Sequence, residues 1–552
     1  MKKLRFFLVL FLSTAVLAED VTVQLPVGTV KGLVKSTAKG VIFYSFQGIP
    51  YAEKPVGDLR FQAPVPKKKW EGIWDATKFG NICNQMSYTP PNQSEDCLFV
   101  NVYTPNITDN LPVMFFIYGG GFVAGASNSY GPDFLMEQDV VLVTINYRVG
   151  PYGFLSTGDD LVPGNAGLKD QTLALKWANQ YIHHFGGDPT KITIFGQSAG
   201  SASCAYQIMS PLSKGLFRSA ILLSGTSLSP WAYQRNYQLY SRELIRNIDP
   251  ANYHKYNTSQ TIYEFLKNIP TEIINDACLA MVTTNPKSYL QLYQGFFFAP
   301  VYEHEHDGAF LTKQAYEAME EGDFNKVPVL LGATSEEDYF LMEDKEGLGY
   351  ISEIFTQSRD SIPDDMHVTE ENKDTIKAEL MNFYTSGGNY VDNPRKLVTL
   401  MSDHDFVKSV LKFAEQLVKH SQNPYLYQFS YKGVLGFHTN QSEKGFSDKV
   451  SHGEDVGYIL SFDREDLSNF PKEDQLVQKR FITMLTNFAK YLNPTPEKDE
   501  TLQNIIWPKT DSDFVYLDIG SDMELKNGMK HEMYNFWNDL YARYGVRPFD
   551  TY

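Results

Sequence analysis

The stretch KITIFGQSAGSASCAYQIM, residues 191–209, decides the fold. Residues 191–195 suit a buried strand and residues 201–209 a helix, and between them stands Gly196-Gln197-Ser198-Ala199-Gly200. Strand, GxSxG, helix is the context of a nucleophile elbow, whose sharp turn forces the serine into strained backbone geometry. Glycine two residues to either side removes the Cβ atoms that would hold strand and helix apart. The pentapeptide alone arises by chance in roughly one chain in five of this length, so its placement carries the weight. It predicts a reactive serine held at the tip of a strand.

Working outward, short apolar runs alternate with helical patterns, as parallel strands joined by crossover helices do. The candidate central strands are residues 113–118, 140–146, 191–195, 220–223, 327–331 and 425–429, nearly all apolar as strands covered on both faces are. Residues 235–285 and 338–423 turn helical and polar and are expected to be insertions at the sheet's edge. The fold class is therefore α/β, a central mostly parallel sheet flanked by helices. At 552 residues a prior of about 150 per domain would give three or four units, yet one large α/β domain accommodates this pattern.

Composition narrows the partners. The chain is 43% apolar and 21% charged, with 49 Lys plus Arg against 66 Asp plus Glu, a formal charge of −17 and no offsetting basic block. Nucleic acid and anionic membrane surfaces are disfavoured as partners. Aromatic residues reach 14%, with 37 Phe and 34 Tyr against 6 Trp, an excess that needs a use. Residues 1–18 read as a signal peptide: Lys2, Lys3 and Arg5 precede an apolar run, and small residues end at Ala18. That run is shorter than the ~20 residues a membrane span needs. Cleavage removes three positive charges, taking the charge to −20 and leaving residues 19–552 as the domain. No later stretch reads as a span, and the C-terminal residues carry neither a GPI-type tail nor a retention tetrapeptide. A secreted, extracellular protein without a membrane anchor is expected. Four sequons, at Asn92, Asn106, Asn257 and Asn440, fit that route. Cys83 and Cys97 flank a polar, Pro-containing loop that an oxidising compartment would let them close, for about 3 kcal/mol on a chain-entropy estimate. Cys204 and Cys278 read as buried free thiols.

A serine hydroxyl needs a base to take its proton, and the oxyanion it creates needs preorganised N–H donors. After the strand at 113–118 comes Gly119-Gly120-Gly121-Phe122, a run whose backbone can bend close to a bound carbonyl. It has neither the spacing nor the lysine of a phosphate loop. His304-Glu305-His306 offers too few ligands for a metal, so no metal and no cofactor are expected.

At this point the sequence closely resembles the type-B carboxylesterase family of α/β-hydrolases, which also holds cholinesterases, juvenile hormone esterases and the non-catalytic neuroligins. The segments that carry the resemblance are Phe46-Gln47-Gly48-Ile49-Pro50-Tyr51-Ala52, Ser94-Glu95-Asp96-Cys97-Leu98, Asn146-Tyr147-Arg148-Val149-Gly150, Asn165-Ala166-Gly167-Leu168-Lys169-Asp170-Gln171 and Phe185-Gly186-Gly187-Asp188-Pro189. The resemblance implies a catalytic acid five positions after a strand-ending glycine, which Gly332 places at Glu337, with Glu336 and Asp338 expected as a solvated acidic turn. It implies a histidine before a loop glycine, met by His452 and Gly453, and completes the order Ser198, Glu337, His452. The oxyanion donors it implies are the N–H groups of Gly120, Gly121 and Ala199. Arg60 with Glu95, and Arg148 with Asp170, resemble the family's buried ion pairs and are expected to be scaffold.

The substrate expected from the same resemblance is a small, neutral, apolar ester. The loop between Cys83 and Cys97 holds no Trp to stack on a quaternary ammonium, and the residue before the serine is the neutral Gln197, which argues against choline esters. Trp231, Phe296 and Phe298 fall where the family lines its acyl pocket. The GQSAG form is similar to that of juvenile hormone esterases and odorant-degrading esterases, but the hormone esterases carry glycine three residues before the histidine where this chain has Lys449. A general or odorant-ester carboxylesterase is expected ahead of a juvenile hormone esterase. A neuroligin-like adhesion protein is the reading of another class, and an intact triad argues against it.

Overall fold

The computed structural model describes residues 20–85, 92–285, 288–437, 450–462 and 466–552. Its centre is a 13-stranded sheet. The strands are β1 (Asp20–Leu25), β2 (Gly28–Ser36), β3 (Ile42–Pro50), β4 (Ile73–Asp75), β5 (Phe99–Thr104), β6 (Leu111–Ile117), β7 (Val141–Ile145), β8 (Gly187–Gln197), β9 (Ser219–Leu223), β10 (Val329–Thr334), β11 (Tyr425–Phe429), β12 (Tyr516–Ile519) and β13 (Met523–Lys526). Their spatial order is β1-β2-β3-β5-β7-β6-β8-β9-β10-β11-β12-β13, with β4 against β2.

From β7 across to β12 every pairing is parallel. An antiparallel meander, β1–β3 and β5, closes one side and the β12–β13 hairpin the other. All six strands expected from the sequence lie in the parallel block. Strands β7, β9 and β10 are buried at every residue, so helices must cover both faces, and Ala199–Met209 packs against β8 and β9. The segments at 235–285 and 338–423 are helical, and they join β9 to β10 and β10 to β11, strands inside the sheet.

The aromatic excess finds its use in this core. Tyr118 and Tyr147 stack at 4.4 Å, each hydroxyl donating to the other's carbonyl at 2.9 and 3.0 Å, and Tyr51 donates to Asn146 O at 2.7 Å. Tyrosine thus brings apolar area into the interior without leaving its hydroxyl unpaired. Burial pushes all three phenols up.

Two buried arginines are paired with carboxylates. Arg148 bonds Asp170 at 2.7 Å and donates to Gln62 O at 2.8 Å. Arg60 grips Glu95 and also reaches Leu266 O and Ile269 O at 3.0 and 2.6 Å, fastening the first helical insertion to the meander side. Cys83 and Cys97 form a disulfide, while Cys204 and Cys278 are free and buried. Asn92 and Asn257 are exposed and Asn106 is half-buried; Asn440, Lys449 and the leader lie outside the described residues. Among the described residues no helix is long and apolar enough to cross a membrane.

Candidate active site

Ligand sites of parallel α/β sheets form beyond the carboxyl ends of the strands, and Ser198, Glu337, His452 and the glycine run lie there. Ser198 follows the last residue of β8 with φ +60° and ψ −126°, a strained setting for a residue with a Cβ. Its N–H donates to Leu223 O at 2.9 Å, continuing the ladder one step beyond the strand. The closeness of elbow and neighbouring strand shows at the glycines: a Cβ on Gly196 would meet the Gly200 backbone, and one on Gly200 would meet Ile117 O, both well inside contact distance.

Glu337 lies just past β10 and is fully buried. Its Oε1 accepts from Thr334 N and from Ser224 Oγ, both at 2.6 Å, and its Oε2 lies 2.5 Å from His452 Nδ1. The loop carrying His452 is stitched to the acid turn by four backbone N–H donors, and Ser451 Oγ adds a bond to Glu337 O at 3.3 Å. His452 N donates to Glu337 O (2.8 Å), Glu336 N to Val450 O (3.1 Å), Phe340 N to Ser451 Oγ (3.0 Å) and Val450 N to Ser335 Oγ (3.1 Å). Acid and imidazole therefore move as one unit. The other ring nitrogen, His452 Nε2, lies 2.8 Å from Gln197 Nε2, which sets the ring over the elbow.

Beyond β6 the glycine run turns through φ +116° at Gly120 and +61° at Gly121, conformations that glycine adopts without strain. Among the described residues no loop or turn hydrogen bond uses the N–H of Gly120, Gly121 or Ala199. Ala199 opens its helix, where the first N–H groups have no intrahelical acceptor. Among the described residues these three N–H groups are therefore without a loop or turn acceptor.

A chain of rings runs from the glycine run to the histidine. Phe296 touches the space above Gly121, Trp231 packs against Phe122 and Phe296 at 6.3 Å each, Phe406 lies 5.5 Å from Trp231, and Phe406 covers the His452 ring at 4.3 Å. Trp231 and Phe296, expected from the sequence to line the acyl pocket, both belong to this chain of rings. Phe298 is buried too, but among the described residues no ring contact joins it to this cluster.

The acidic turn corrects one expectation, because neither neighbour of Glu337 is solvated. Glu336 is buried, held by Arg395 and by Thr399 Oγ1 at 2.8 Å. Asp338 is fully buried beside Asp405, which also bonds His404 Nδ1 at 2.7 Å. Burial first, then neighbouring carboxylates, push both aspartates well above the usual carboxylate range.

Asp455, bonded by Tyr427 OH at 2.8 Å, is pushed up to about 6 by burial and then by the Glu337 charge. A raised carboxyl keeps its proton longer in the folded protein, so its contribution to stability is complete below the ordinary value of 3.8 and is lost as pH rises to about 6. Asp455→Asn removes that titration. Between pH 4 and pH 7 the variant should gain about 2 kcal/mol relative to the parent. Urea unfolding at the two pH values measures it, and an unchanged difference would refute it.

His304-Glu305-His306 forms no cluster: His306 Nε2 pairs with Glu303 Oε2 at 2.8 Å, the carboxylate that Lys169 holds at 2.6 Å. Ser224, Asp455 and Phe406 went unnoticed in the sequence. Ser224 alone left a signal there, standing directly after an apolar strand that neighbours the elbow.

An elbow serine at the tip of a mostly parallel, helix-flanked sheet is the architecture of the α/β-hydrolases. The chain belongs to the carboxylesterase family, whose model matches residues 19–537. It is 34% identical over 507 residues to juvenile hormone esterase of Tribolium castaneum, covering 87% of this chain and 84% of that one. It is 32% identical over 538 residues to venom carboxylesterase-6 of Apis mellifera, covering 93% of each. A crystal structure of juvenile hormone esterase from Manduca sexta with OTFP covalently attached superposes with a TM-score of 0.83 at 28% identity, over 95% of this chain and all of that one. The protein is a carboxylic ester hydrolase acting on small ester substrates.

Proposed function

We propose that this is a secreted serine carboxylesterase that hydrolyses neutral, apolar esters through an acyl-enzyme on Ser198. The observation that carries the proposal is the buried Glu337–His452 contact of 2.5 Å, which directs the other ring nitrogen at the elbow. Ser198 Oγ attacks the ester carbonyl carbon while His452 Nε2 takes its proton. The oxyanion is received by the N–H groups of Gly120, Gly121 and Ala199. On collapse the C–O bond to the alcohol breaks, and His452 returns the proton to that oxygen. Water, deprotonated by His452, then attacks the acyl-enzyme, releasing the acid and restoring Ser198. A relative of the same fold carrying a covalently attached molecule supports the covalent step.

Rings at Phe122, Trp231, Phe296 and Phe406 favour an apolar acyl group, and the neutral Gln197 offers nothing to a cation. The closed disulfide and the exposed sequons at Asn92 and Asn257 support secretion. The juvenile hormone esterase relatives favour a second substrate reading, hydrolysis of that hormone. Incubation with a small aryl ester and with a serine-directed organophosphate tests the reaction: turnover and an adduct on Ser198 are expected, and neither would appear with an adhesion protein. Comparing kcat/KM on juvenile hormone and on medium-chain acetates separates the substrates. A strong preference for the hormone would reverse the ranking.

A further inference from the structure

The acceptor on His452 is already occupied. Nδ1 faces the Glu337 carboxylate at 2.5 Å, so its proton sits there and Nε2 carries the lone pair. That lone pair is what Ser198 Oγ must reach to lose its proton. The group found on it is the carboxamide nitrogen of Gln197, at 2.8 Å, and an amide nitrogen can only donate. Ser198 itself makes no side-chain bond to the helix it caps.

The seat of Gln197 is built for this side chain. The residue is 5% exposed and ends β8, so its backbone cannot drift. A Cβ on Gly119 would stand 2.8 Å from its Oε1, and one on Gly453, the residue after His452, would stand 3.3 Å from its Nε2. Two glycines, one before the oxyanion loop and one after the histidine, leave the room the carboxamide fills.

We propose that Gln197 is a positioning residue that holds His452 in reserve: its carboxamide N–H and the Ser198 hydroxyl are alternative donors to one lone pair, and the amide yields when substrate settles in the site. This rests on the serine-esterase reading above and adds a resting state to it. Gln197 thus competes with the nucleophile, and with any incoming proton, for the one lone pair on Nε2. Among the described residues the groups facing that ring are few. They are the carboxylate of Glu337 on Nδ1, Asp455 in the following turn, Gln197 and Ser198 from the elbow, and the uncharged ring of Phe406. Glu454 turns its carboxylate toward Gly436 instead.

The test is the pH profile of kcat/KM on an aryl acetate, with the rate of Ser198 phosphorylation by an organophosphate measured beside it. Gln197→Met keeps the bulk and removes the donor. Its acid limb should move to higher pH by about half a unit, the worth of one neutral hydrogen bond, and above that limb phosphorylation should quicken a few-fold. Gln197→Glu sets a carboxylate on the same nitrogen and should move the limb further in the same direction. A Gln197→Met profile that superposes on the parent overturns the proposal, as does a limb that moves down. If Gln197→Met does not fold, as thermal melting would show, Gln197→Glu decides: an unmoved limb overturns it equally. Parent protein that turns over no ester at any pH would overturn the esterase reading and this one with it, whereas unshifted limbs with normal turnover would overturn this one alone.

Discussion

Replacing Ser198 by alanine is expected to lower kcat on a small aryl ester by roughly 10⁴- to 10⁶-fold, the largest effect any single substitution in the site should have. The loss is that large because the covalent route closes altogether. Glu337 and His452 remain paired in the variant, but the nearest nucleophile is then a water that nothing positions. What survives is catalysis by the N–H groups of Gly120, Gly121 and Ala199 together with binding. Stability should barely change, since the Ser198 hydroxyl makes no side-chain cap bond and its N–H to Leu223 O is a backbone bond that alanine keeps. A folded variant retaining more than about a hundredth of the parent kcat would mean that Ser198 is not the nucleophile. Loss of activity together with loss of the thermal transition would be uninformative about chemistry, so the melting curve belongs beside the rate.

Much of this site was legible because its chemistry sits at fixed offsets from strand ends. The elbow follows β8, the glycine run follows β6 and Glu337 follows β10, and each of those strands is a nearly unbroken apolar run. The meander was harder to read. Strand β2 buries only alternate residues near its start, so no apolar run marks it. The acidic turn misled for another reason. The two carboxylates flanking Glu337 look solvated until their partners are known, and Arg395, Thr399 and Asp405 lie far along the chain in the second helical insertion. Phe406 was hidden likewise. It sits in the π-helical turn Asp403–Val407, whose sequence is half polar, and only the packing of that turn lays its ring on His452.

The burial of all three carboxyls turns the identity of the catalytic acid into a question of geometry. Glu337→Gln should cost about 10³- to 10⁴-fold in kcat. Thr334 N and Ser224 Oγ both donate to Glu337 Oε1, so a glutamine must put its carbonyl oxygen there. Its NH₂ then faces His452 Nδ1, which can meet a donor only by giving up its own proton. That proton moves to Nε2 and covers the lone pair Ser198 needs, while the charge that would stabilise the imidazolium is gone. Neither neighbour has such a lever. Asp338 lies beside Asp405, and the carboxylate on His452 Nδ1 is that of Glu337, so Asp338→Asn leaves the ring's partner in place and should hold kcat within about tenfold. Glu336→Gln loosens Arg395, a third exposed, and costs mostly stability. Steady-state kinetics on the three variants, each checked by thermal melting, ranks them. If Asp338→Asn or Glu336→Gln proved as damaging to kcat as Glu337→Gln, the acid would have been assigned to the wrong carboxylate, and the 2.5 Å contact with His452 would not be the one that orients the base.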